Sequence, residues 1–278
     1  MPRRGIQLCY PFEEKRLAKW KGPHMIQPKL DGERCRAIFD ENGYVRLLSS
    51  EENEFISIPH INLQLSSLEL KNIELDGELY VHGMPFEQIH SIVSRKQNLH
   101  EDSLHMEYHV FDLVLNADTE FRFLAKDQLF NQIKLPSVKN VRHFEAETLD
   151  DIMLYFDLFC KEGFEGFVLR NRHGFYTRSR STNLMKFKPK KNDLYQIVDT
   201  VEEISINGIP KGTLGAIACI SDNTVFTVGS GLTADQRREL WKERESLVGK
   251  WCEVQYQHIT TGKRVPRFPV FVRILDRL

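Results

Sequence analysis

The sequence predicts an α+β protein in two parts, a larger mixed part and then a smaller one built mainly of strands. Three observations predict this. Up to about residue 190, short β-rich runs alternate with stretches of helical spacing. After Asn192, five short β-rich runs and one helix fill fewer than 90 residues. Between the two textures lies Pro189-Lys190-Lys191-Asn192, where a proline stops the preceding strand, so the boundary is set at about residue 190. Five strands and a helix in so short a stretch predict a small barrel of the OB kind over 191–278. The length suits one large domain or two ordinary ones. With 41% hydrophobic and 28% charged residues, the chain can bury a sizeable core.

In chain order, Leu17 and Trp20 stand at helical spacing within 13–21, which predicts a brief helix. Met25 to Gln27 leads into a turn at Lys29. Arg34–Asp40 and Gly43–Ser49 read as two strands joined over Asn42-Gly43, a strong hairpin signal. A helix is expected over Ile61–Leu70 and a strand over Asn72–Val81, bent at Gly77. Phe86–Val93 has helical spacing, and Tyr108–Leu115 alternates as a strand does. Helices are expected over Lys126–Ile133 and Leu149–Glu162, the second burying Phe156 and Phe159. Gly166–Asn171 and Leu184–Lys188 are strands. In the second part the strands are Leu194–Glu203, Gly215–Ser221, Thr224–Val228, Trp251–Thr260 and Val270–Leu275. The helix is Thr233–Leu247, with Thr233 as N-cap and Asp235 in its first turn.

Several classes are excluded. No apolar run approaches the roughly 18 residues that a membrane span needs. Met1-Pro2-Arg3-Arg4-Gly5 is basic but has no apolar stretch behind it, so no secretory signal is expected. Cys9, Cys35, Cys160, Cys219 and Cys252 are scattered and odd in number, against a disulfide framework or a zinc site and in favour of a reducing cytoplasm. The net charge is −1, yet Arg170 to Asn192 holds eight Lys or Arg and no acid. Lys263 to Arg277 holds five basic residues against Asp276 alone. A chain neutral overall and basic in two places suits a nucleotide or nucleic-acid surface.

The chemistry centres on Gln27-Pro28-Lys29-Leu30-Asp31-Gly32-Glu33-Arg34. Pro28 pushes Gln27 toward an extended backbone, and Gly32 permits angles that a larger residue resists. A lysine amine here can attack an electrophile and form a covalent intermediate, while the plain alternative is a solvated polar turn. Four further sets end strands: Glu74, Asp76 and Glu78; Phe111 and Asp112; Glu165 before Gly166; and Lys186 with Lys188, whose alternation aims both amines at one face. Asp76 reads as a turn residue that shapes the site.

In this order, the sets resemble the ATP-dependent polynucleotide ligases of the covalent nucleotidyltransferase superfamily. The matching motifs are Lys29 to Arg34 (Lys-x-Asp-Gly-x-Arg), Asp76-Gly77-Glu78, Phe111-Asp112, Glu165-Gly166 and Lys186-Phe187-Lys188-Pro189. In the second part, Val228-Gly229-Ser230-Gly231-Leu232-Thr233, Glu253 to Tyr256 and Arg267 to Arg273 look like the family's glycine turn and C-terminal motif, closer to DNA than to RNA ligases. The resemblance covers about residues 25–277 and departs in two places. Ser49-Ser50-Glu51-Glu52 lacks the arginine that many relatives place after serine, and the C-terminal motif ends Asp276-Arg277 where lysine is usual.

The resemblance implies a nucleotidyltransferase domain (ATP-grasp-like), with antiparallel sheets and helices, over 1–190, followed by the OB-fold. It implies a DNA ligase that serves replication, repair and recombination in three steps. Lys29 attacks the α-phosphate of ATP, AMP moves to the 5′-phosphate at a nick, and the 3′-hydroxyl displaces AMP. An amine with an ordinary pKa near 10.4 must first lose its proton, which the nearby Lys186, Lys188 and Mg²⁺ would favour. The implied catalytic residues are Lys29, Lys186, Lys188 and Glu165. The nucleotide would be held by Gln27, Arg34, Glu78, Phe111, Arg273 and Arg277, with Gln27 on an adenine edge and Phe111 stacked on the ring. Mg²⁺, with Mn²⁺ as a substitute, would be held by Asp31, Glu78 and Glu165. Nicked duplex DNA is the expected partner, bound by two modules of a cytoplasmic monomer in a bacterium or a virus-infected cell. Lys29 lies so early that no further N-terminal DNA-binding domain is expected. An RNA ligase, an mRNA guanylyltransferase and a non-catalytic OB-fold nucleic-acid-binding protein are the alternatives.

Overall fold

The chain begins with an edge strand that the spacing of its residues does not foretell. In the computed structural model, which describes residues 5–189, 191–256, 259–260 and 263–276, β1 (Leu8–Pro11) is followed by the one-turn helix α1 (Glu14–Leu17). Then come β2 (His24–Lys29), β3 (Glu33–Phe39) and β4 (Val45–Ser49). Asn42-Gly43 closes the β3–β4 hairpin, and Asp40 Oδ1 accepts the N–H groups of Asn42 and Tyr44 at 2.9 Å each. The order continues with α2 (Pro59–Ser66), β5 (Ile73–Tyr80), α3 (Phe86–Val93), β6 (Glu107–Leu113), α4 (Thr119–Gln132), β7 (Val138–Asn140) and β8 (Phe144–Ala146). α5 (Leu149–Lys161), β9 (Gly166–Arg170) and β10 (Arg180–Phe187) complete the first part. By contact the chain divides into Met1–Phe156 with Gly163–Phe187, and Asp157–Glu162 with Lys188–Leu278.

The first unit has two five-stranded sheets, ordered β1-β10-β9-β2-β8 and β4-β3-β5-β6-β7. Their pairs are antiparallel except β1 with β10 and β6 with β7. The second sheet buries Cys35, Ala37, Leu47, Leu75, Leu79 and Val110 against Ile61 and Leu65 of α2 and Ile89 and Ile92 of α3. An aromatic cluster backs the first sheet, with Phe167 and Phe187 stacked at 5.4 Å and Phe156 edge-on to Phe187 at 4.9 Å.

α4 is longer than expected and begins seven residues earlier than Lys126. Its N-cap, Asp118, accepts the Phe121 N–H at 2.9 Å. The helix inverts the usual pattern, which hides its period. Arg122 and Lys126 are buried, while Phe121 and Leu124 are each 56% exposed. Gly77 sits where the bend was expected, and the reason is crowding: a Cβ there would lie 2.5 Å from His109 O. The β5–β6 register shifts at the same point, so Asp76 faces Asp112, Gly77 faces Val110, and Phe111 faces no residue.

The second unit is one antiparallel sheet, β13-β12-β11-β14-β15. Its strands are β11 (Lys191–Ile204), β12 (Pro210–Ser221), β13 (Thr224–Val228), β14 (Trp251–Tyr256) and β15 (Val270–Leu275). β11 and β12 run several residues past their expected ends as a paired ribbon. The expected single helix is two, α6 (Ala234–Lys242) and α7 (Arg244–Leu247), broken at Glu243. Thr233 caps α6 in a reciprocal box: its hydroxyl accepts the Gln236 N–H at 3.2 Å, and Gln236 Oε1 accepts the Thr233 N–H at 2.9 Å. Ile217, Val228, Leu232, Cys252 and Val254 are among the residues of its core.

Candidate active site

Strand register assembles the central pair. Lys29 ends β2 opposite Gly166 of β9, and the Glu165 N–H donates to Lys29 O at 3.2 Å. Lys29 Nζ consequently meets the Glu165 carboxylate and donates to Oε2. The two side chains are 18% and 13% exposed, so water still reaches the pair. Gly32, between β2 and β3, is needed for space and not for its angles. Its φ is not positive, but a Cβ would lie 2.2 Å from Leu79 O of β5.

Glu74, Asp76 and Glu78 alternate along β5 and share one face with Arg34 and Arg36 of the adjacent β3. Arg34 grips Asp76 with both arms of its fork, Nε at 2.6 Å and Nη2 at 2.5 Å. Tyr176 Oη donates to the same carboxylate at 2.6 Å. Asp76 is therefore a fully buried mid-strand anchor, not a turn residue. Burial opposes the charge on Arg34, but Asp76 more than offsets it and raises the guanidinium pKa. Glu78 has no such grip. Burial pushes its carboxyl up to about 8, against the pull of Arg34 and Lys29.

Phe111 is the bulge residue of β6, which turns its ring out of the ladder toward Arg34, whose Cζ lies 4.5 Å from the ring centroid. Behind it, Asp112 accepts from Arg122 Nε at 2.9 Å and from Arg170 Nη1 at 2.9 Å, all three side chains being buried. Arg170 Nε also donates to Gln27 Oε1 at 3.2 Å. Burial lowers the Arg170 pKa, and Asp112 restores only part of it. The Gln27 amide N–H groups are directed at Phe111 O at 3.1 Å and Val141 O at 3.4 Å. In this structure Gln27 directs its donors to the backbone beneath Phe111 while still lining the cleft, where the expected adenine contact would lie.

These groups open on a cleft of about 260 Å³ lined by Gln27, Lys29, Arg34, Glu78, Phe111 and Lys186, six of the residues expected from the sequence. Arg170, Arg180, Phe86, Ser50 and the β1 residues Leu8 and Cys9 line it as well. The basic run from Arg170 pointed at the two arginines without saying which would reach the cleft. Nothing in the short apolar alternation of 6–10 announced that β1 would form a wall.

Of the other expected members, Glu165 meets Lys29 without being among the lining residues, and Asp31, Lys188 and Arg273 are also absent from that lining. Asp31 is exposed on the turn and outside the lining. Its charge reaches Tyr80, whose phenol is raised by burial first and by Asp31 second. β10 ends at Phe187, one residue short of Lys188, which groups with the second unit. Arg273 also belongs to the second unit, where it donates to Glu253 at 2.6 Å. Arg277 lies outside the described residues. Among the described residues no three His, Cys, Asp or Glu side chains converge as a ready-made metal group, so the expected Asp31, Glu78 and Glu165 set is not preassembled.

Residues 7–188, about two thirds of the chain, match the family model for the ATP dependent DNA ligase domain. The chain belongs to the ATP-dependent DNA ligase family. A second ligase model, the DNA ligase OB-like domain, matches residues 207–274. The DNA ligase of African swine fever virus is 26% identical over 264 residues, covering 87% of this chain and 61% of that protein, so the chain spans about three fifths of the viral relative. The DNA ligase of Haemophilus influenzae is 25% identical over 272 residues, covering 96% of this chain and 91% of its own. Among solved structures, Chlorella virus DNA ligase-adenylate superposes with a TM-score of 0.69 at 24% identity, covering 98% of both chains. The bacteriophage T7 ligase in complex with ATP gives 0.70 at 15% identity, covering 96% of this chain and 97% of its own. Ligases thus share the two-part fold. Among the described residues, no helix is long and apolar enough to cross a membrane.

Proposed function

We propose that the protein is an ATP-dependent DNA ligase that seals 3′-hydroxyl/5′-phosphate nicks in duplex DNA through a lysyl-AMP and then a DNA-adenylate. The observation that carries this is the Lys29–Glu165 contact in a cleft that also presents Glu78, Phe111, Arg34 and Lys186. Lys29 Nζ attacks the α-phosphorus of ATP, forming a P–N bond as pyrophosphate leaves with the electrons of the broken P–O bond. Its ammonium proton must go first, and Glu165 is the carboxylate in contact to take it or steer it to water. Lys186 and Arg180 offset the charge that develops on the phosphate oxygens. Phe111 offers the adenine a face, and Glu78, protonated near neutral pH, can donate to the ribose.

The donor set also fits Mg²⁺, with Mn²⁺ able to replace it. Such an ion keeps several waters and takes one or two carboxylates beside the phosphates; Glu165, in contact with Lys29, would hold it, and Glu78 could join only in its ionised form. When bound, the ion neutralises phosphate charge. Arg273 and Arg277, with Lys188, remain the proposed contributions of residues beyond about 190. A monomer acting in the cytoplasm is the proposed setting. The test is incubation with α-labelled ATP, GTP and Mg²⁺, then with nicked DNA or nicked RNA. Label from ATP alone, passed to nicked DNA and absent in Lys29→Ala, is expected. Label retained by that variant overturns the assignment of the nucleophile.

A further inference from the structure

Beside the cleft, one side-chain stack ties Arg180 to two residues that play no part in the chemistry above. The Tyr10 ring of β1 is contacted by two guanidiniums, Arg16 Cζ at 4.2 Å and Arg180 Cζ at 5.5 Å from its centroid. Arg180 reaches from the cleft lining and donates to Cys9 O. It is exposed and has no carboxylate partner among the described residues. Arg34, Arg36, Arg122, Arg170, Arg172 and Arg178 of the same unit are ion-paired, while Arg46, Arg95 and Arg142, like Arg180, have no carboxylate partner among the described residues; Arg180 differs from those three in sharing an aromatic ring with a second guanidinium. Among the described residues Arg16 meets only the exposed Glu13, at 3.4 Å; its side chain is 19% exposed and its Nε is buried without a hydrogen-bond partner. The Tyr10 hydroxyl makes no hydrogen bond among the described residues. Lys15, Lys19 and Lys21 lie on and just after the helix that carries Arg16.

Two cations drawn to one ring repel each other, and one stacked arginine would already satisfy the tyrosine. The arrangement gains most when an anion lies across both forks. A stacked guanidinium keeps its planar N–H groups directed outward and matches a phosphate with two parallel bonds. The tyrosine hydroxyl adds a neutral donor of the kind that contacts DNA backbone.

We propose that Arg16, Tyr10 and Arg180 form a docking track for the phosphodiester backbone of the nicked strand, running from the mouth of the cleft across β1 to α1. The track rests on the ligase reading above. Arg16 and Tyr10 lie outside the cleft, so they serve DNA docking and not the reaction with ATP.

The experiment compares wild type, Arg16→Gln, Arg16→Lys and Tyr10→Ala. Each is first labelled with α-labelled ATP, and its affinity for a nicked duplex is then measured across a salt series. Self-adenylation by all four at the wild-type rate is expected. At 0.1 M salt, Arg16→Gln is expected to bind the nick about five- to tenfold more weakly, with a log K against log salt slope shallower by about 0.9, the signature of one lost phosphate contact. Tyr10→Ala should bind more weakly too. Arg16→Lys keeps the charge without the fork, so it should keep the slope and lose a smaller share of affinity. Wild-type affinity and slope in both Arg16→Gln and Tyr10→Ala overturn the track, as does weaker binding with an unchanged slope in Arg16→Gln, which marks a merely structural stack. A wild-type protein that takes no label at all refutes the ligase reading instead, and the two failures are thereby told apart.

Discussion

Two charged centres of the first unit are built in opposite ways. Around Asp112 everything is closed: a fully buried carboxylate is shared by Arg122 and Arg170, and their remaining donors go to Ala117 O, Gly174 O and Gln27. Around Lys29 the pair with Glu165 is partly exposed, and the neighbouring Glu78 is held by no fork. The first centre is costly to disturb because its charges have no water to fall back on. The second can exchange partners, which is what a group that must lose a proton and bond to phosphorus requires. The comparison teaches that the buried, multiply held pairing here marks scaffold, and the partly exposed single pair marks chemistry.

The strongest way to break this contrast is at Lys29. Lys29→Ala and Lys29→Arg should fall to background in self-adenylation while costing less stability than a change at the fully buried Asp112 centre, since water still reaches the Lys29–Glu165 pair. A large fall in stability would place Lys29 with the scaffold. Asp112→Asn should do the reverse and cost about 3–5 kcal/mol in denaturant unfolding, because two buried guanidiniums lose their counter-charge. Next comes Gly32→Ala. The new methyl must displace the β5 backbone at Leu79, costing about 1–3 kcal/mol and lowering adenylation as Lys29 shifts. The last effect is a pH slope set by Glu78. Its folded pKa of about 8 exceeds the unfolded value of 4.5, so between these the folded chain holds a proton that the unfolded chain has lost. Stability should then fall as pH rises from about 5 to 8 and level off above. Glu78→Gln cannot ionise and should abolish that slope, which melting temperatures across the same pH range will read. Parallel slopes in the two proteins would remove Glu78 from the titration.

The same contrast explains how far the sequence could be read. The Lys29, Asp76-Gly77-Glu78, Phe111-Asp112 and Glu165-Gly166 sets all lie at strand ends or on facing strands, where local pattern and pairing carry the information. Phe86–Val93 and Val270–Leu275 were legible to the residue because their periodicities are clean. What escaped depended on packing at long range. The start of α4 was hidden because its buried side carries Arg122 and Lys126, charges that read as surface until Asp112, Asn140 and Val141 O supply their partners. β1 was missed because its only strand partner lies more than 160 residues away. Gly32 was read for the backbone angles it permits, since no sequence shows that Leu79 O will pass within 2.2 Å of its missing Cβ.

The unmatched position on β6 has one more implication. Because Phe111 is the residue left over when β6 is laid along β5, its outward aim is a matter of counting and not of side-chain identity. Removing His109 would close the bulge and set Phe111 opposite Gly77 and Val110 opposite Glu78, sending an aromatic ring toward the core and an aliphatic side chain toward the cleft. Substitutions in that strand should be forgiven far more readily than a single-residue gap, and a length change there would silence the site while leaving every signature motif in place.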